Sequence, residues 1–148
     1  MFLAPINDRL VICCCGKLEK VIAGNQQMAE IQIFNSSVQP DKPISAQICS
    51  SFLCRLRGLT FQFTIPEGWG LLLVQDRENR LEAAIHMLFM FCDLSVVWIN
   101  TKLEVVDTQY AKAWHPSYLP QKPAKYVLEL SHKHIHDFSI GDQLRFES

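Results

Sequence analysis

The chain has 148 residues, 49 % of them apolar and 20 % charged, with 14 basic against 15 acidic side chains and a formal net charge of -1. This balance fills a core and excludes a disordered polymer, and without a cationic excess nothing drives sequence-independent binding to nucleic-acid phosphates. The length suits one domain rather than two.

Residues 1 to 29 hold no steady periodicity and read as an N-terminal extension or irregular hairpin. The apolar run Leu10 to Cys15 follows Pro5, Asp8 and Arg9, and is too short for a signal peptide. Cys13, Cys14 and Cys15 are contiguous, which is awkward for pairing, whereas Cys49, Cys54 and Cys92 are scattered without zinc-ligand spacing. Reduced, partly buried thiols are the expectation.

From Glu30 onward the texture changes. Ile31-Gln32-Ile33-Phe34 alternates as a strand does and ends at the turn former Asn35-Ser36-Ser37. Gln39 to Pro43, with two prolines, reads as a loop, and Ile44 to Ile48 as a strand. Ser50 or Ser51 is placed to cap a short helix through Arg57, closed by Gly58. Leu71 to Val74 is a compact apolar strand bounded by Gly68-Trp69-Gly70 and the polar stretch Gln75 to Arg80.

Ala83 to Asn100 is eighteen residues long with Asp93 as its only charge, close to the length of a membrane span. An aspartate near a span's centre costs about 2.5 to 3.5 kcal/mol, so two buried strands turned around Asp93 are expected instead. Leu103 to Asp107, Tyr126 to Leu130 and a segment fed by Gly141-Asp142 read as further strands. Trp114 to Pro123 carries three prolines and reads as an ordered loop. The expected fold is mainly β: a single-domain β-sandwich or partly open barrel of about seven short strands, with one or two short helices, over residues 30–148.

The order of segments Phe52 to Leu59, Ile85 to Asn100, Val105 to Asp107, Trp114 to Pro120, Ala124 to Leu130 and Gly141-Asp142 resembles the family called domain of unknown function 192, over about residues 30–148. That family is bacterial and archaeal, and the resemblance implies a mostly-β domain without an established activity, often carried behind a signal or membrane anchor; a bacterial type is the expectation for this chain. Thr60 stands where members usually carry Met after Gly-Leu, and Met87 to Met90 where many have Met-x-Asn-Thr.

Arg55, on the short helix, is a candidate to clamp Asp93, Asp107 or Glu129. His86, Met90 and Cys92 would share one face of a strand, a donor set suited to copper(I), but Met and Cys are also ordinary core fillers. His132, His134 and His136 share a face if extended, while His132 and His136 pair if helical; solvated histidines beside Lys133 and Asp137 are the simpler reading. Trp114, Tyr118 and Trp98 offer aromatic faces for sugars or other planar groups, with Asn100 or Asp107 supplying hydrogen bonds. Against that stands an expected role for Trp114 as a plug over the core.

Cys92, His86 and Asp93 can be drawn as a triad without any cue for a lowered thiol pKa, and Gly68-Trp69-Gly70 lacks the helix and lysine of a phosphate loop. The candidate binding set is Arg55, Asp93, Asn100, Asp107, Trp114 and Tyr118. No catalytic residue, metal or cofactor is assigned. The expected role is a non-enzymatic module binding a small molecule or a protein, with a hydrolase working at a carboxylate-lined cleft near Asp93 and Asp107 as the alternative. No nucleic-acid partner and no transmembrane span are expected, and the cytoplasm is the expected compartment, with envelope association as the alternative that the resemblance implies.

Overall fold

The computed structural model describes residues 29–148. The expectations for the N-terminal extension and for Cys13 to Cys15 lie outside them. Seven strands, β1 (Glu30–Asn35), β2 (Gln39–Cys49), β3 (Trp69–Asn79), β4 (Leu94–Ile99), β5 (Val105–Ala111), β6 (Ala124–Ser131) and β7 (Leu144–Glu147), form one sheet in the order β5-β4-β6-β3-β2-β1-β7. A single α-helix, α1 (Phe52–Arg57), and a 3-10 turn at His132–His134 complete the elements. The expectation of a mainly-β fold of about seven strands holds, as one curled half-barrel sheet.

The curl follows from where the apolar residues point. Ile31, Ile33, Ile44, Ala46, Leu72, Val97, Ile99, Val105, Leu128, Leu130 and Leu144 bring all seven strands into one cluster, as only the inner face of a curled sheet can. The two edge strands come together at one end, where the Leu144 amide donates to the Leu103 carbonyl and the Val105 amide to the Asp142 carbonyl. On the outer face Leu71, Leu73, Leu94, Val96, Trp98 and Val127 are covered by the Ala83 to Met90 segment. Strands β4 and β6 are therefore buried on both faces, which explains why Leu94 to Ile99 is apolar at nearly every position.

β2 and β3 pair in parallel, so the chain must cross over between them, and α1 lies in that crossover. Ser51 caps the helix by accepting from the Cys54 amide at 3.3 Å, and Gly58 ends it at φ 48° with its amide on the Cys54 carbonyl at 2.8 Å. None of its residues is buried, so packing contributes little to it. A Cys49–Cys54 disulfide, Cα to Cα 5.6 Å, ties its first turn to the end of β2. This corrects the expectation of reduced thiols for Cys49 and Cys54: the Ser51 cap turns the chain back on itself, bringing Cys54 over the strand end. Cys92 is free and half-buried, as expected.

Three other expectations are corrected. Ala83 to Asn100 forms only one strand, β4; residues 83–93 are irregular except for the Ile85–Tyr118 bridge. Their alternation is real, with Ala83, Ile85 and Met87 buried, but the backbone pairs with loops: Ile85 exchanges hydrogen bonds with Tyr118, and Met87 donates to His115 and accepts from Trp114. Gln39 to Pro43 is strand rather than loop. The prolines are tolerated because β3 pairs with β2 only from Ser45 onward, leaving that half with fewer amides to satisfy. The polar stretch Gln75 to Asn79 continues β3 past its pairing with Val74, where the register with β6 shifts. No helix among the described residues is long and apolar enough to cross a membrane.

Candidate functional site: a buried carboxyl under α1 and an aromatic patch

The proposed binding residues do not converge. Asp107 of β5 pairs with Trp98, which lies five residues along the chain from Asp93, just ahead of β4, so the two backbone positions stand roughly 17 Å apart. Both are engaged in holding the chain. Asp93 accepts from the Ala113 amide at 2.8 Å and the Tyr110 hydroxyl at 2.7 Å, which hold its carboxyl below the usual range. Asp107 accepts from the Thr108 amide, the Gln109 side chain and the Gln121 amide, pinning the proline-rich loop to β5. Asn100 accepts from the Lys102 and Glu104 amides and closes the β4–β5 turn. The Tyr118 hydroxyl accepts from the Lys112 amide.

Arg55 clamps none of the three expected carboxylates. Its guanidinium donates to both oxygens of Asp76 at 3.0 and 2.9 Å, and to the Val74 carbonyl at 2.9 Å. The reason is the crossover, which lays α1 along the overhanging half of β3. The histidine and sulfur sets also fail to assemble. His86, Met90 and Cys92 lie on an irregular segment rather than a strand, and His134 uses its ring nitrogens on the Gly68 amide and Asp137. Burial, and then Asp93, push the Cys92 thiol up, the wrong direction for a nucleophile.

Trp114 does not plug the core. It is 51 % exposed and meets Phe89 and Phe91 edge-on at 5.6 and 5.5 Å, while Phe61 stacks on Phe89 and Phe63 on Phe91. The five rings form one patch, each between 45 and 56 % exposed. Backbone bonds from Phe61 to the Phe89 carbonyl and from Phe91 to the Gln62 carbonyl hold the two Phe-x-Phe pairs side by side. Phe61, Phe89 and Trp114 all have φ between 63° and 66°, a conformation that bulky residues rarely adopt. The paired Phe-x-Phe spacing was the available sequence signal, obscured by the assumption that an apolar run is buried.

The second feature is a cavity of about 360 Å³ between α1, β3 and the Ala84 to Met90 segment. Leu59, Leu73, Ile85, Met87, Met90 and Leu94 give it apolar walls, and its polar lining includes Arg55, Arg57, Asp76, Glu82, His86 and Glu129. Glu129 projects from β6, paired on one side with Leu71 of β3 and on the other with Val96 of β4. It is 4 % exposed, its Oε2 has no hydrogen-bond partner, and both carboxyl oxygens lie under 4 Å from where a side chain on Gly58 would begin. Burial pushes this carboxyl up to about 7. Gly70 admits β6 at this level: a Cβ there would stand 2.5 Å from Leu130 and 2.8 Å from the Glu129 carbonyl. The sequence signal was a glutamate inside Val127-Leu128-Glu129-Leu130, legible as alternation but not as burial on both faces.

Fold and surface together define a mainly-β domain of one curled sheet with its outer face roofed by a short helix and loops. The family model for domain of unknown function 192, described as an uncharacterised ACR, matches residues 33–146, and the chain belongs to that family. The UPF0127 protein of Thermococcus gammatolerans is 37 % identical over 83 residues, 56 % of this chain and 52 % of its own length. The match thus spans about half of that relative. The UPF0127 protein PF1050 of Pyrococcus furiosus is 33 % identical over 105 residues, 70 % of this chain and 87 % of its own. These relatives are archaeal, against the expectation of a bacterial type. A crystal structure of a Sinorhizobium meliloti 1021 protein superposes with a TM-score of 0.71 at 17 % identity, covering 83 % of this chain and 98 % of that one. A protein of unknown function from Novosphingobium aromaticivorans DSM 12444 gives 0.69 at 13 % identity, with 80 % and 84 % covered; both likenesses concern the fold alone.

Proposed function

We propose that residues 30–148 act as a non-enzymatic binding module whose recognition surface is the aromatic patch around Trp114. The observation that carries this reading is the coincidence of exposure with backbone strain. Three of the five rings are held at positive φ, at a cost on the order of 1 to 3 kcal/mol each, and none of the five is buried in return. Contiguous apolar surface of this kind marks binding rather than packing. Its occupant is a planar or apolar face, of a sugar ring or of a protein side-chain cluster, laid against the rings. Tyr118 and the loop through Pro123 serve by fixing Trp114, and Asp93 and Asp107 hold that loop rather than do chemistry. A hydrolase at those two carboxylates has less support, since each is engaged by amides and the two stand apart.

The test is Trp114→Ala measured two ways. Urea unfolding is expected to show a stability loss under about 1 kcal/mol, while binding of a saccharide or an aromatic peptide, read by thermal shift in the unaltered protein, disappears in the variant. A loss of about 3 kcal/mol or more would return Trp114 to the core and overturn the reading.

A further inference from the structure

A second place in the molecule has the makings of a site, on the other side of the loop that carries Phe89 and Phe91. Two atoms on the cavity under α1 are sealed from solvent without partners: Glu129 Oε2 and His86 Nδ1. His86 Nε2 lies 3.1 Å from the Leu56 carbonyl, which only accepts, so Nε2 carries a proton, and in the tautomer that this bond fixes Nδ1 is an acceptor without a partner. A carboxylate oxygen is likewise an acceptor. Both positions therefore call for donors, and Arg55 does not supply them, because its guanidinium is spent on Asp76 and the Val74 carbonyl.

The charges around the space point the same way. Arg55 and Arg57 on α1 face Asp76 of β3, Glu82 and His86 of the covering segment, and Glu129 of β6. Arg55 is taken up by Asp76, which leaves Arg57 as the other cation on the rim against the two carboxyls of Glu82 and Glu129. The remaining wall is aliphatic and thioether, and the volume falls within the range of small-molecule pockets, roughly 300 to 1,000 Å³.

We propose that this cavity binds a small primary ammonium with an apolar body, its head on the Glu129 carboxylate beneath Gly58 and its body against Met87, Met90 and Leu94. The site is independent of the aromatic patch and does not rest on that reading. Binding moves one proton: the ammonium enters charged, and where Glu129 starts protonated its proton passes to the buffer. No covalent bond changes.

The test uses the full chain and benzylammonium chloride, with benzyl alcohol as its neutral isostere. Calorimetry at about pH 8 is expected to give a dissociation constant at least about tenfold lower for the amine than for the alcohol. Near neutral pH the heat should depend on the buffer's ionisation enthalpy, reporting proton release. Glu129→Gln should lose the amine's advantage and keep the alcohol's affinity, and Trp114→Ala should leave both unchanged. Methyl resonances of Met87 and Met90 in the unaltered protein give a readout that does not depend on any variant folding, and they should shift with the amine. Equal affinity for amine and alcohol, amine binding undiminished in Glu129→Gln, or no methyl shift up to roughly 10 mM amine, a range that covers millimolar binding, would each overturn the proposal.

Discussion

A carboxyl enclosed between Leu71 of β3 and Val96 of β4 makes Glu129 the residue whose energetics depend most on pH. An unfolded chain gives up a glutamate proton at ~4.3, whereas burial holds this one to about 7. Between those values the folded state binds a proton that the unfolded state has lost, so stability falls as pH rises through the window and levels off above it. Across the full window the cost is roughly 3 to 4 kcal/mol. Glu129→Gln should remove the slope, gaining on the unaltered protein as pH rises; urea unfolding at about pH 5 and about pH 8 measures it, and a constant offset at both would refute it. Asp93 contributes in the opposite sense. Its carboxyl, held low by the Ala113 amide and the Tyr110 hydroxyl, stabilises above the ordinary aspartate range and ceases to do so as pH falls through its lowered value. Arg55 differs from both. Its partner Asp76 is mostly in water, so Arg55→Met leaves no buried charge behind, and the loss in chemical denaturation should stay under about 1 kcal/mol.

At the scale of the element, α1 has no buried residue and rests on its two caps, the Arg55–Asp76 pair and the disulfide. A short cross-linked loop restricts the unfolded chain modestly, so Cys54→Ser should cost about 2 kcal/mol, read as a drop in the denaturation midpoint that reductant reproduces in the unaltered protein. A loss that reductant does not reproduce would mean the substitution acts through packing at Cys49 instead. The elements differ in how far sequence revealed them. Ile31 to Phe34 and Tyr126 to Leu130 alternate and are strands, and the Ser51 and Gly58 caps bracket the helix they suggest, because each of these signals is local. Ala83, Ile85 and Met87 carry the same alternation, but Ile85 and Met87 spend their amides on the Trp114 to Tyr118 loop, a partner fixed only by tertiary structure. Pro40 and Pro43 argue for a loop until it is known that their half of β2 lacks β3 as a neighbour. The candidate sites were less legible for the same reason. Neither the double burial of Glu129 nor the exposure of Phe61 and Phe89 can be read without knowing what lies across the sheet.

For the whole molecule the decisive feature is how the curled sheet closes. The edges β5 and β7 do not pair along their length; they meet through Leu103 to Val105 and Gly141 to Leu144. Gly141 takes φ 96° there, a turn that a side chain would strain, and sends its amide to the Val105 carbonyl. Asp142 fastens the seam: its buried carboxylate accepts from Asn35 of β1 at 2.7 Å and from the Ser139 amide at 2.8 Å, while Asn35 also donates to the Asp137 carbonyl. Removing that carboxylate strands two donors where water reaches poorly, at roughly 1 to 3 kcal/mol for each unsatisfied group. Asp142→Ala should therefore cost about 2 kcal/mol or more in urea unfolding, and amide exchange should quicken first at Val105 and Leu144. The outer face does not share these bonds, so the walls of the Glu129 cavity and the aromatic patch should keep their arrangement in the variant as long as it is folded. Faster exchange spread evenly over β3, β4 and β6 would show instead that the seam and the outer face open as one unit.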